Sequence, residues 1–177
     1  MNIEEVNRTY NHIILSEVKK HLHVNSNYDD DNDYLIGLIA VATTIVENDI
    51  ENNIALANKI TITGINNKNE ITIPDGNLNT ISGITINGVI VSASTYTVYK
   101  NDFSFTITFD DVVTGELEIE YSVGFTAQDL KPVLKQCILI KIMDMYDNER
   151  SSYTGGAFTI NRAYENMINY YKKIVFI

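Results

Sequence analysis

Four sets of side chains in this chain are of types capable of chemistry. In the run Asp29-Asp30-Asp31-Asn32-Asp33, the residues Asp29, Asp31 and Asp33 match the first half of a calcium loop. Such a loop needs glycine at its sixth position and glutamate at its twelfth, where this chain has Tyr34 and Ala40. The run therefore reads as a helix N-terminus, where carboxylates meet the positive end of the helix dipole. His21 and His23 are two residues apart on a helical stretch and point in different directions, whereas helical metal pairs prefer four-residue spacing. His12 supplies no evident third ligand. Cys137 sits in an apolar helical stretch and reads as a small buried hydrophobe rather than a nucleophile. Asp110-Asp111 and the alternating Glu116, Glu118 and Glu120 read as the solvated edge and face of a strand pair. No serine lies in a nucleophile-elbow pattern, and no glycine-rich phosphate loop is present. The sequence thus gives no catalytic, metal or cofactor-binding residue, and the expectation is a protein that is not an enzyme and needs no cofactor.

The elements that would position any site come next. The chain has 177 residues, enough for one domain with a sizeable core or one domain carrying a β insertion. No run approaches the roughly 18 apolar residues of a membrane span. The polar, acidic start Met1-Asn2-Ile3-Glu4-Glu5 does not read as a secretion signal. A single cysteine excludes an internal disulfide framework and fits synthesis in a reducing compartment. The net charge of −10 disfavours broad binding to nucleic-acid phosphates, and does not exclude a channel that DNA passes through without sticking. Abundant Ile, Asn and Tyr are most simply explained by AT-rich codons.

Residues 1–14 read as a flexible arm or a first helical turn. Ser16 is the candidate N-cap of a short helix reaching about Val24. A second helix runs from about Asp31 to Glu51, with Leu35, Leu38, Ile39, Ala42, Ile45 and Val46 on one face. From Lys59 the period changes to two. Strands are expected at 60–63, 70–73, 81–86, 89–91, 96–99, 103–109 and 116–123, with turns at Gly64–Asn69, Pro74-Asp75-Gly76, Asn87-Gly88 and Thr114-Gly115. A third helix starts near Lys131, with Pro132 in its first turn and Thr126 or Asp129 as cap. Its stripe Leu134, Cys137, Ile138, Ile142 and Met145 is widened by Leu139 and Ile140, so burial on most sides is expected. A last helix is expected over 161–174, followed by an apolar end that should dock on something. The expected class is α+β: a small helical bundle (1–56 and 126–177) with an inserted antiparallel β sandwich or barrel (57–125). Tyrosines cluster in the C-terminal third, where either interface use or core packing would explain them.

Four motifs together resemble the head–tail connector, or head-completion and adaptor, proteins of tailed bacteriophages. They are Leu15-Ser16-Glu17-Val18-Lys19-Lys20-His21-Leu22; the acidic turn Asp29–Asp33 with Leu35, Leu38, Ile39, Ala42 and Glu47; Tyr121-Ser122-Val123-Gly124-Phe125; and Tyr146-Asp147-Asn148-Glu149-Arg150. Two departures are a longer β region and one extra residue between Asn148 and Arg150. The resemblance implies a structural virion protein, made in the host cytoplasm and placed at the head–tail junction. It implies a homo-oligomeric ring, a dodecamer, bound to the portal protein and to tail or second-ring proteins. DNA would pass through the lumen without sequence-specific binding, and no membrane is involved. The interface residues expected on this reading are Tyr146, Arg150, Tyr164, Met167, Tyr171 and Phe176. The competing reading is a glycan- or peptide-binding β module on a helical scaffold, for which Tyr96, Tyr99 and Phe103 would have to form an exposed aromatic face.

Overall fold

A computed structural model describes residues 1–150 and 162–172, with side chains described through Tyr146 and again from Arg162. The elements in order are β1 (Asn2–Thr9), α1 (Leu15–His21), α2 (Asn32–Ile50), β2 (Leu56–Ile73), β3 (Leu78–Ile86), β4 (Val89–Ile90), a 3-10 turn (Ala93–Thr95), β5 (Tyr96–Lys100), β6 (Phe105–Val123), α3 (Pro132–Arg150) and α4 (Arg162–Ile168). The class is α+β, as the change of period at Lys59 requires. The chain divides into two compact units, a β unit of residues 1–9 and 52–125 and a helical unit of residues 10–51 and 126–177.

The β unit is built on two long antiparallel strands, β2 and β6, paired from Ala57↔Val123 to Ile73↔Phe105. The expected turns at Gly64–Asn69 and Thr114-Gly115 do not end strands. They are opposed irregularities within continuous ones, with register slips on either side of Lys68. Asn67 (φ 49°) and Gly115 (φ 145°) lie at positive φ, and the Asn67 amide donates to Thr114 Oγ1 at 2.9 Å. Glycine and asparagine satisfy a bulge as well as a turn, because both need the same backbone angles. The bend folds β6 back on itself: Phe105 and Tyr121, sixteen positions apart in one strand, meet edge-on at 5.0 Å. Ile73, Ile84, Phe105, Ile107, Leu117, Ile119 and Tyr121 form the core on the inner face.

The sheet order is β1-β2-β6-β3-β4, with β5 paired to the Phe105–Phe109 half of β6. The six strands form one hydrogen-bonded sheet that is not closed, so of the expected sandwich or barrel the barrel is excluded. Alternation gives strand number and face; it does not say which strands are joined. Residues 2–9 form neither an arm nor a helical turn but an antiparallel edge strand on β2, from Asn2↔Ile62 to Thr9↔Leu56. Almost every residue of β1 is exposed, so the strand lacks the alternation that would have revealed it. Asn87-Gly88 forms the expected hairpin, at φ 51° and 76° between Ile86 and Val89.

In the helical unit, α1 begins two residues earlier than expected. Ile14 is its N-cap, without a side-chain cap bond, and Ser16 lies inside the helix. The α2 stripe is buried at Leu35, Leu38, Ile39, Ala42 and Val46, with Ile45 only partly covered. Glu51 ends α2 in the left-handed conformation. In α3, Leu134, Cys137, Ile138, Leu139, Ile140 and Ile142 are all buried, which matches the widened stripe.

His12 is buried against α2. Thr43 Oγ1 gives its proton to the Ile39 carbonyl (2.7 Å), so His12 Nε2, 3.0 Å away, must donate to it. Nδ1 is then a buried acceptor with no hydrogen-bond partner. Burial, assisted by the Lys135 cation, lowers the His12 pKa to about 4. An unfolded chain takes up this proton near its ordinary value of about 6.5, whereas the folded chain resists it. Stability from this group is thus complete above pH 6.5 and falls as pH drops from there toward 4. Between pH 7.5 and 5.0 the expected loss is about 2 kcal/mol. Urea unfolding at the two pH values measures it, and His12→Gln should abolish most of the difference.

Candidate assembly surfaces

The acidic turn before α2 is organised around a lysine. Lys19 is buried, and its Nζ donates to the Ser26 carbonyl (3.2 Å), the Tyr28 carbonyl (2.7 Å) and Asp29 Oδ1 (3.2 Å). Asp29 also accepts from Asn32 Nδ2 at 2.9 Å, and these bonds hold its carboxyl below the usual range. Asp31 accepts from the Tyr146 hydroxyl at 3.2 Å. Two of the three carboxylates that matched a calcium loop are thus engaged with protein donors. Among the described residues, no group of three or more His, Cys, Asp or Glu is placed to hold a metal ion. Cys137 is buried, and burial pushes its thiol up to about 11, so it is a thiol at neutral pH and a poor nucleophile.

Two of the tyrosines expected at an interface are anchors inside the helical unit. Tyr146 is buried on α3, 6.2 Å from the ring of Tyr34. Tyr164 is buried on α4, donates to the Asp49 carboxylate, and carries the Lys141 ammonium 4.1 Å over its ring. Burial, then the bond to Asp49, raises the Tyr164 pKa, so the hydroxyl stays protonated and donates. With Ile168, which is also buried, Tyr164 ties α4 to α2 and α3. Met167 and Tyr171 are half-buried, and the Lys131 ammonium lies 5.4 Å from the Tyr171 ring. The Arg150 side chain and Phe176 lie outside the described residues. Spacing at i, i+3, i+4 and i+7 places these residues on one helical stripe; it does not say whether the stripe faces the chain's own core or a neighbour.

The energetic consequence is testable. Tyr164→Phe should cost about 1–2 kcal/mol, because the Asp49 carboxylate loses its donor. Tyr164→Ala should cost about 3–5 kcal/mol, through the cavity it leaves. Thermal melts of the two variants, with hydrogen exchange over 162–172, would test this. Equal protection of α4 in Tyr164→Ala and the native chain would refute the anchoring role.

Apolar side chains are left exposed on both units. On the helical unit, α2 exposes Ile36 (53%) and Val41 (49%) off its buried stripe, and α3 exposes Met143. On the β unit, β4 exposes Val89 and Ile90 (82%), and Val112 stands at the bend. Helix α2 carries no basic residue and β4 no charge at all, so both surfaces are suited to protein contact. Periodicity could have found the α2 pair, since Ile36 and Val41 fall off its main stripe. The aromatic face required by the recognition-module reading does not form. Tyr96 packs edge-on against Phe109 at 6.3 Å, Phe103 is half-buried, and Tyr99 is exposed alone (71%).

Among the described residues, no helix is long and apolar enough to cross a membrane. Comparison with known proteins adds three findings. Residues 12–88 match the family model of the phage gp6-like head-tail connector protein, which bears out the resemblance carried by Leu15–Leu22 and Asp29–Glu47. No curated protein matches the chain by sequence. Solved structures share the fold over its whole length. A chain in the neck of an empty GTA particle computed with C6 symmetry covers 100% of this chain and 98% of its own, at 14% identity and a TM-score of 0.78. A chain from the virion of a native gene transfer agent particle has the same coverage and identity, with a TM-score of 0.77. A chain from the neck of a native GTA particle computed with C12 symmetry gives 0.74, again at 14% identity, 100% of this chain and 98% of that one.

Proposed function

We propose that this chain is a structural head–tail connector subunit that forms a ring in the neck of a tailed virion, below the portal, and lets DNA pass. The observation that carries this reading is the match of residues 12–88 to the connector family model, and the whole-length fold likeness to neck chains agrees with it. The matched neck particles were computed with C6 and C12 symmetry, which supports a cyclic assembly of this chain. A heterologous contact closes into a ring only if two different surfaces of each subunit meet. The apolar surfaces on α2 and β4 are candidates for that contact. A net charge of −10 fits a lumen that DNA crosses without adhering. The two units act on this reading as separate domains.

The C-terminal region supplies the reach toward partners. Since Tyr164 and Ile168 are buried, cutting the chain at residue 157 would strip α4 from the core. A deletion of 173–177 spares α4 and is the better test. The native mass of the full chain, alone and with its cognate portal protein, decides the reading. A ring, or a monomer that becomes a ring on the portal, supports it. A monomer indifferent to the portal overturns it.

A further inference from the structure

The outer face of the β unit carries a groove that the fold leaves unfilled. Its walls are Glu118 and Glu120 of β6, Ser82, Gly83 and Thr85 of β3, and Ile90 of β4. The pairing explains the shape. Gly83 stands opposite Glu120, and Thr85 lies between Glu118 and Ile90. At Gly83 there is no side chain where the face would otherwise be covered. A Cβ built there would meet only Glu120 Oε2, at 3.9 Å. Beside the groove, β4 pairs with β3 only at Thr85 and Ile86, and the Val91 amide takes the Ile84 carbonyl. Among the described residues, no strand covers the β3 edge from Asn79 to Gly83. The site is therefore a short open strand edge, an apolar wall at Ile90 and a rim of two carboxylates. An extended segment pairing cations with aliphatic side chains fits it.

The sequence holds one such segment. Lys172-Lys173-Ile174-Val175-Phe176-Ile177 is the only place where paired lysines lead into an apolar run. Its Ile, Val and Phe favour extended backbone, and its length suits the five residues from Asn79 to Gly83. Lys172 is exposed. We propose that the C-terminal run 172–177 of one subunit seats in this groove on the sheet of a second copy, with its lysines on Glu118 and Glu120 and its aliphatic residues against Ile90. The contact joins two different surfaces, tail and sheet, so it propagates head-to-tail and closes when the rotation allows, as the ring reading on which this proposal rests requires.

The test uses the chain shortened to residues 1–171, a labelled peptide of residues 170–177, and the full chain. The peptide is expected to bind the shortened chain saturably, and more weakly as salt rises. Glu118→Lys with Glu120→Lys should weaken binding by about tenfold or more, and a peptide carrying Lys172→Glu and Lys173→Glu should recover it on that variant. Gly83→Val fills the groove without a clash in its own sheet, so it should block the peptide while leaving the melting temperature unchanged. In the full chain it should reduce self-association measured by light scattering. Absence of peptide binding, or equal binding to the native, charge-reversed and Gly83→Val grooves, overturns the proposal. A full chain that stays monomeric while excluding the peptide also overturns it, because the tail would then occupy its own sheet. Failure here with intact ring formation on the portal removes this groove and leaves the connector reading standing.

Discussion

Replacing Asp75 with alanine should lower the unfolding free energy by about 3–5 kcal/mol. Asp75 lies in the turn after β2 and is the centre of a buried polar cluster. Its Oδ2 lies 3.0 Å from the Lys59 ammonium and accepts from the Tyr121 hydroxyl at 3.0 Å, while its Oδ1 accepts from Asn53 Nδ2. The Tyr121 hydroxyl also meets Thr61 Oγ1 at 3.1 Å, and burial raises its pKa far enough to keep it a donor. The side chains of Lys59 and Asp75 are only 12% and 9% exposed, so neither charge can turn to water. Without Asp75, Lys59 keeps the Asn53 Oδ1 hydrogen bond at 2.9 Å and the more distant Glu5 carboxylate opposite it on β1, so a buried cation loses its closest counter-charge. The double variant Lys59→Met with Asp75→Leu removes both charges and should lose less stability than Asp75→Ala alone. Urea unfolding of the native chain and both variants gives the comparison. A loss below about 1 kcal/mol in Asp75→Ala would place the pair among ordinary surface ion pairs.

Gly124→Ala should be nearly as damaging, at about 3–4 kcal/mol, for a backbone reason. Gly124 has φ +97°, and a Cβ there would lie 2.1 Å from the Ala55 carbonyl oxygen and 2.9 Å from that of Ile54. The close approach is held by two amides, Gly124 to the Asn77 carbonyl and Phe125 to the Ile54 carbonyl, each at 2.9 Å. An alanine must both adopt a disfavoured φ, at about 1–2 kcal/mol, and push the strands apart, weakening two bonds worth about 1 kcal/mol each. Gly37 provides the control. It lies in α2, and nothing stands within 4 Å of the point where a methyl group would sit. Gly37→Ala should therefore stabilise the chain by about 1 kcal/mol. Opposite shifts of melting temperature in the two variants are the expected result. A neutral Gly124→Ala would show that the neighbouring backbone yields freely. The motif Tyr121-Ser122-Val123-Gly124-Phe125, part of the family resemblance, thus has a physical content: its tyrosine closes the polar cluster and its glycine admits the Ile54–Ala55 backbone.

The candidate site was legible only in part. Ile36 and Val41 fall on a helix whose period was plain, and Glu118 and Glu120 read as the solvated face of a strand. The groove itself was not legible. It exists because Gly83 of one strand stands beside Glu120 of another, a register that neither segment states. The tyrosines show the same limit. A helical stripe ending in Tyr164 has one appearance whether it faces a partner or the chain's own Asp49, which lies 115 positions away.

By itself, the sequence determined what depends on a few consecutive residues. The stripes of α2 and α3, the switch to period two at Lys59, the Asn87-Gly88 hairpin and the proline that opens α3 follow from local periodicity and backbone preference. Tertiary structure decided what depends on distant partners. It recruited Asn2–Thr9 as an edge strand, made bulges of two expected turns, and folded β6 until Phe105 met Tyr121. It also brought Tyr121 to Asp75, 46 positions earlier in the chain. Turn residues permit a bend without choosing between a turn and a bulge, and an exposed edge strand has no buried face to imprint a pattern. Only the packing of the whole sheet chooses between the alternatives that local chemistry leaves equal.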